Sequence, residues 1–379
     1  GTEGRTLRFA DTAAAAPSAS PHHLTRTGYT LYFHATDGIR GAELWKSDGT
    51  AGGTVLVRDI RSGSIGSSPQ RFTAMGSTVF FAANDGSTGN ELWKTDGTSV
   101  GTVRVKDISQ TTSNADPDFL TVIGNTLFFA ASSGTSELIS DRELWKSDGT
   151  RAGTVEVTDL AFGAAGSNPT ELTAFGGLLY FKASSDTYGS VLHRSDGTAA
   201  GTYGAASVVD PSGIEVIGGA LYFSAWSPGD ASNRELWRSN GTGPSTVRVK
   251  DLAPGVTGSA PGRITGVHGA VYFAANDGVH GSELYVSDGT DAGTVLVADV
   301  APGSAHSLPV SLVDANGRLF WVADDPLHGV ELWALTCGDG SIDPGEACDQ
   351  GSGNGDASRC CTGACGLRPA GTLCRASAG

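Results

Sequence analysis

The sequence predicts an all-β chain built from one unit repeated seven times, and three observations predict it. The motif Glu-Leu-Trp-Lys-Ser-Asp-Gly-Thr recurs around Trp45, Trp93, Trp145, Trp237 and Trp333, with degenerate copies at His193 and Tyr285. Successive centres lie 48, 52, 48, 44, 48 and 48 residues apart, a near-constant period of the length that marks a solenoid or a propeller. Within each period, short runs rich in Val, Phe and Thr alternate with Gly, Asp and Asn turns, without helical periodicity. Glycine is abundant, 55 of 379 residues, but it holds fixed positions in the repeat and so signals turns rather than disorder.

In the second unit, Arg71–Met75 reads as a first strand and Gly76-Ser77 as a tight turn. Thr78–Ala83 is a second, aromatic-rich strand, and Asn84–Gly89 a loop with strong turn chemistry. Glu91–Lys94 is the third strand, Asp96-Gly97 a hairpin signal and Thr102–Asp107 the fourth strand. Four short strands per period make a propeller blade. Phe80 and Phe81, like Leu92 and Trp93, place apolar groups on both faces, as expected of a sheet covered on both sides.

The last unit stops after Glu331–Thr336 without a fourth strand. Shifted by 48 residues, Gly1–Asp11 aligns without a gap to Gly49–Asp59, the hairpin and fourth strand of the first full unit. The N-terminal strand is therefore expected to complete the last blade, closing a seven-bladed β-propeller over 1–336 and removing exposed edges. A small Cys-rich, disulfide-bonded module is expected over 337–379.

Glu43, Glu91, Glu143, Glu235, Glu283 and Glu331 recur at one position, with Val191 as the exception. Asp48, Asp96, Asp148, Asp196 and Asp288 recur at another, with Asn240 substituting. A carboxylate in nearly every unit suits a scaffold better than a site: the Asp satisfies amides of its own turn and the Glu accepts backbone hydrogen bonds from a neighbouring loop. Loops opening on Asp37, Asp85 and Asp277 are turns by default, with weak calcium binding as the alternative.

Departures from the repeat carry more functional information. The fourth unit has His193 for Trp and Val191 for Glu, and its outgoing connection is cut short at Asp210–Gly213. The fifth has Trp226–Asp230 where others have Asn-Asp-Gly. A loop Trp beside an Asp can stack on a sugar while the carboxylate takes hydroxyl hydrogen bonds, or it can plug the blade. His193 is expected to be a satisfied core histidine. Trp226, Asp230, His193 and Tyr188 form the candidate ligand-binding set, and Trp321, aligned with Phe81, is core. Catalytic residues are not identified: no nucleophile elbow and no His-Glu-x-x-His occurs, and His22-His23 lack a carboxylate at metal spacing.

A net charge of -15 repels phosphate backbones, excludes nucleic acid as a natural partner, and suits cations or simple solubility. No apolar run approaches the ~20 residues that span a bilayer. All six cysteines, Cys337, Cys348, Cys360, Cys361, Cys365 and Cys374, lie in the tail, which points to a disulfide framework in an oxidising, extracellular setting. Their connectivity stays open among fifteen pairings.

The motif copies resemble the ELWxxDGT repeat family of secreted and surface proteins from bacteria, over residues 1–336. The resemblance implies a propeller and export, to the extracellular space or the bacterial cell surface, and no established activity. The start of the tail is similar to the Cys-rich repeats of myxobacterial surface proteins. The whole tail resembles the disintegrin-like domain of reprolysin-type metalloproteinases. That resemblance implies a structural calcium ion held by Asp339, Asp343, Glu346 and Asp349, where Asp339 stands for the usual Asn and Asp343 for the usual Glu. Ala378-Gly379 occupies the place of the integrin binders' Arg-Gly, and six cysteines are fewer than the family framework, so the module is expected to be cut short. Together these readings lead to a monomeric, non-catalytic binding or adhesion module that recognises an extracellular protein or glycan through its loop-rich face. The rivals are a secreted glycan-active enzyme, whose sign would be Arg, His, Tyr and carboxylates from different blades gathered on one face, and accessory domains of a secreted metalloprotease.

Overall fold

A computed structural model describes residues 18–110, 112–134, 141–161, 166–185, 189–254 and 258–335. The expected closing strand near the N-terminus, Tyr188, the calcium set and every cysteine lie outside the described residues. The described chain is all-β apart from one short 3-10 turn at Gly243–Ser245. Two compact units divide it, one reaching Gly189 and taking His193–Tyr203, the other taking Ser190–Leu192 and the chain from Gly204.

In the first unit, the second repeat folds as strands Gln70–Met75, Thr78–Asn84, Asn90–Thr95 and Val103–Arg104, antiparallel in the order of the chain. Its fourth strand is shorter than Thr102–Asp107. After Arg104 the backbone steps out of register, with Val105 N donating to Leu92 O at 2.8 Å, and Asp107 already opens the outgoing connection. Strands one to three of the first, third and fourth repeats follow the same plan. The second unit holds two further sets of this kind, Gly262–Ala298 and Val310–Ala334, the latter with three strands among the described residues.

Strand Tyr203–Ile217 differs: in one run it covers positions that other repeats divide between a fourth strand, a connection and the next first strand. Asp210-Pro211-Ser212-Gly213, expected as a shortened connection, lies inside this strand. Val191 makes sense beside it, because elsewhere the Glu at that position exists to tie down a connection loop that the fourth repeat lacks.

Both faces of each sheet are used. In the first unit Phe80, Leu92, Val105 and Ile108 on one face of the second repeat pack against Leu127, Phe129, Ala131 and Trp145 of the third. The opposite face, with Val79, Phe81, Ala83 and Trp93, packs against Tyr32, Leu44 and Val57 of the first. Within the second unit, Tyr222, Leu236 and Val249 meet Val271, Phe273 and Tyr285 in the same way. Each buried aromatic contributes about 1.5–3 kcal/mol, so the stacked sheets, not any one sheet, carry the fold. Trp321 is buried, stacked with Trp333 at 6.3 Å between ring centroids.

The motif's polar residues wire this stack. Asp96 Oδ1 accepts from Thr98 N (2.8 Å) and Thr98 Oγ1 (2.7 Å), and Thr98 Oγ1 in turn accepts from Gly101 N (2.9 Å). Lys46 Nζ donates to Gly97 O of the next repeat at 2.8 Å, and Lys94 does the same to Gly149 O. Gly97 has φ +89, and a Cβ there would lie 2.4 Å from Tyr32 Oη, so only glycine fits. The buried Glu43 accepts from Ile60 N (3.0 Å), Arg61 N (3.1 Å), Ser67 N (2.9 Å) and Ser67 Oγ (2.6 Å), and Glu91, Glu143, Glu235 and Glu283 repeat the arrangement on their own connections.

Candidate functional site

A Pro recurs at 21, 69, 117, 169, 211, 261 and 309, directly before the first strand in six repeats and inside strand Tyr203–Ile217 in the fifth. Two residues after it the strand bulges: the register slips by one at the same place in every repeat. The bulged residue has left-handed backbone. In the first unit it is His23 (φ 55), Arg71 (φ 59), Phe119 (φ 54) and Glu171 (φ 58). In the second it is Gly213 (φ 64), Arg263 (φ 57) and Ser311 (φ 54). Left-handed backbone costs a non-glycine residue about 1–2 kcal/mol, yet only one position of the seven uses glycine. Bulges re-aim side chains beside functional sites, and strain held in place by a scaffold clusters there. Here the backbone conformation repeats while the side chain changes charge, size and polarity from one repeat to the next.

In the first unit the first strands lie side by side. Threonine hydroxyls join them: Thr25 to Phe72 O (3.3 Å), Thr73 to Leu120 O (3.4 Å) and Thr121 to Leu172 O (3.0 Å). Between the strands of the second, third and fourth repeats lies a cavity of about 560 Å³, with Arg71, Asp118, Phe119 and Glu171 in its lining. Arg71 Nε contacts Asp118 Oδ1 at 3.0 Å, and the same oxygen accepts from Phe119 N at 2.7 Å. Phe119 is 39% exposed, although apolar burial would normally draw a Phe inward.

First strands begin at the end of the sheet where second strands finish, as the pairing of His22 with His34 and of Gln70 with Ala82 requires. The Asp37 and Asp85 loops and the Glu-tethered connections therefore share this end with the bulged residues. Asp37 accepts from Ile39 N and Arg40 N at 2.8 Å, and Asp85 from Ser87 N at 2.8 Å, so both act as turn carboxylates. Three histidines cluster beside the bulge of the first repeat, with ring centroids of His22 and His34 3.9 Å apart and of His22 and His23 4.7 Å apart. His22 Nδ1 is 2.7 Å from Ser20 O and His34 Nδ1 is 3.0 Å from Pro69 O. Burial, then His22 and Arg71, pull His23 below the ordinary imidazole range. Burial also lowers His34, opposed by its hydrogen bond to Pro69 and aided by His22 and His23. Both shifts favour the neutral ring. Among the described residues, no group of three or more His, Cys, Asp or Glu is arranged to hold a metal ion.

Of the predicted set, Tyr188 lies outside the described residues, and His193, Trp226 and Asp230 are not in the lining of this cavity. His193 is buried and stacks on Phe181 at 5.6 Å in the first unit, as a core ring. Trp226, expected in a loop, ends strand Ala220–Ser227 in the second unit, where the Arg234 guanidinium lies 4.6 Å from its ring centroid. Arg234 is held by Asp210 Oδ2 (3.0 Å), Asp210 O (2.7 Å), Ser212 Oγ (2.6 Å) and Ser224 Oγ (3.0 Å). One ring face is thus covered by a fixed cation, which corrects the picture of an open loop platform. Asp230 begins strand Asp230–Ser239 and accepts from Ser232 N (3.1 Å) and Ser232 Oγ (2.7 Å) as a turn carboxylate. Sequence reasoning passed over Arg71, Asp118, Phe119 and Glu171. The signal for Arg71, Phe119 and Glu171 is variation at one phase of an otherwise regular repeat, two residues after each Pro, and Asp118 directly follows Pro117.

No family model matches the chain, and no curated protein matches it. Solved structures similar to it include the computationally designed Ika8 protein, at TM-score 0.44 and 14% identity over 82% of this chain and 82% of that one. Puromycin hydrolase is similar at TM-score 0.44 and 14% identity over 86% of this chain and 52% of that one. So is a puromycin-hydrolyzing peptidase of Mycobacterium tuberculosis, at TM-score 0.44 and 14% identity over 85% and 52%. The chain spans about half the length of these two hydrolytic proteins, and the likeness bears on neither its activity nor its partners.

Proposed function

We propose that this chain is a secreted or cell-surface, non-catalytic binding module that recognises an extracellular protein or glycan through its loop-rich end. The observation that carries the reading is the set of non-repeating side chains at the bulges, four of them on adjoining strands of the first unit and three at a shared cavity. A scaffold has no use for an exposed Phe and a strained Arg there, whereas a recognition surface does. The proposal includes seven blades closed by residues 1–11 alongside Gly329–Ala334. It is supported by the ungapped alignment of Gly1–Asp11 to Gly49–Asp59 at a shift of 48 residues and by the apolar side chains of that strand, where Val330 is 68% and Leu332 70% exposed. Calcium in the Cys-rich tail, held by Asp339, Asp343, Glu346 and Asp349, remains part of the proposal on the strength of the resemblance alone.

A second reading has its own support. Arg71, Asp118 and Glu171, with His22, His23 and His34 nearby, gather Arg, His and carboxylates from successive repeats at one end, part of the sign expected of a glycan-active enzyme, which also includes Tyr. A glycan and protein-ligand array, run with and without calcium, separates the two. Binding without change to the ligand, weakened when Arg71 and Glu171 are both replaced by Ala, is the expected result. Release of shortened saccharides would establish the enzyme instead.

A further inference from the structure

We infer that the cavity between the first strands of the second, third and fourth repeats takes a neutral saccharide ring. This rests on the binding-module reading and narrows its ligand. Arg71, Asp118 and Glu171 bring both signs of charge to the lining, beside the half-exposed ring of Phe119. An anion meets Asp118 and Glu171 and a cation meets Arg71, so an ionic ligand is opposed whichever sign it carries. An apolar ligand would strip water from the Arg71–Asp118 pair and Glu171, satisfy none of their polar atoms, and gain only the apolar contact of Phe119 and its neighbours. Hydroxyl groups suit all three, because each can donate to a carboxylate and accept from the guanidinium at the same atom. The wall hydroxyls are already committed: Thr73 donates to Leu120 O, Thr121 to Leu172 O and Thr173 to Glu171 O (3.0 Å). Polar recognition therefore falls to the charged groups, and Phe119 supplies the flat apolar face on which the C–H side of a pyranose stacks.

The test is the full chain on an array of neutral, uronate-bearing and sulfated oligosaccharides beside a peptide library, followed by Phe119→Ala and Phe119→Trp. We expect binding to neutral members, insensitive to added salt, about tenfold weaker in Phe119→Ala and retained in Phe119→Trp. Because Phe119 is 39% exposed, all three proteins should melt alike. Binding confined to charged glycans or to peptides would overturn the saccharide class and leave the binding module standing. Equal neutral-glycan affinity in Phe119→Ala would place the ligand elsewhere and overturn it too. Shortened products would sink the non-catalytic reading and keep the saccharide. Silence on both arrays would end both.

Discussion

The carboxyl of Glu91 sits fully buried among Ile108 N (2.8 Å), Ser109 N (3.4 Å) and Ser109 Oγ (2.8 Å). Burial outweighs these donors and pushes it up to about 7, as burial does for Glu143. The folded pKa thus lies above the unfolded value of about 4.3. The neutral form fits the fold, so the stability it contributes is complete below about pH 4.3 and is lost as pH rises through about 7. For each of these two groups the loss is on the order of 3–4 kcal/mol. The melting temperature should therefore fall between pH 5 and pH 8. Glu91→Gln, which cannot ionise, should show a shallower fall than the parent whatever its absolute stability; an unchanged slope would refute the assignment. The scaffold role of these residues could be read from their recurrence. Their titration could not, because it depends on which connection closes over each carboxyl.

At the scale of the element, the Asp-Gly-Thr loop joins one repeat to the next. Gly97 holds left-handed backbone, Tyr32 Oη lies where a Cβ would go, and its carbonyl receives Lys46. Gly97→Ala should cost about 1–3 kcal/mol from backbone conformation, with more from the clash. In a double-mutant cycle, adding Tyr32→Phe should recover part of that cost, giving a non-additive pair; strict additivity in urea unfolding would show that the clash is absent. The first three strand boundaries in the second repeat were legible to within a residue, since turn glycines and paired aromatics bracket them, while the fourth strand ends three residues earlier than expected. Two misreadings share a cause. The fourth-to-fifth connection proved to be strand Tyr203–Ile217, and Trp226 proved to end a strand under Arg234. In both, strand pairing runs closer to the turn-forming residues than their local preference suggests: pairing resumes on either side of left-handed Asp210 (φ 51), and Trp226 pairs with Arg234 while Pro228-Gly229 keeps its turn.

For the molecule as a whole, the period of 48 residues announced the repeat, and apolar residues on both faces announced stacked sheets. The site was far less visible, since Arg71, Phe119 and Glu171 look like ordinary strand residues until the bulge is placed in each repeat. Closure by the N-terminal segment has a direct check. Removing residues 1–17 should lower the melting temperature and promote concentration-dependent self-association through the edge that carries Val330 and Leu332. A truncated chain that stays monomeric and equally stable would refute closure.

The left-handed bulge has a consequence for how such a chain can change. Since the strain there belongs to the backbone, exchange among unbranched side chains changes the folding free energy little, whereas β-branched residues are disfavoured. His23, Arg71, Phe119 and Glu171 stand on one rigid rim with the core beneath them undisturbed. Mutation can therefore explore new specificities at these positions without passing through unfolded intermediates, and a combinatorial library restricted to them would be a compact way to redirect the protein to other targets.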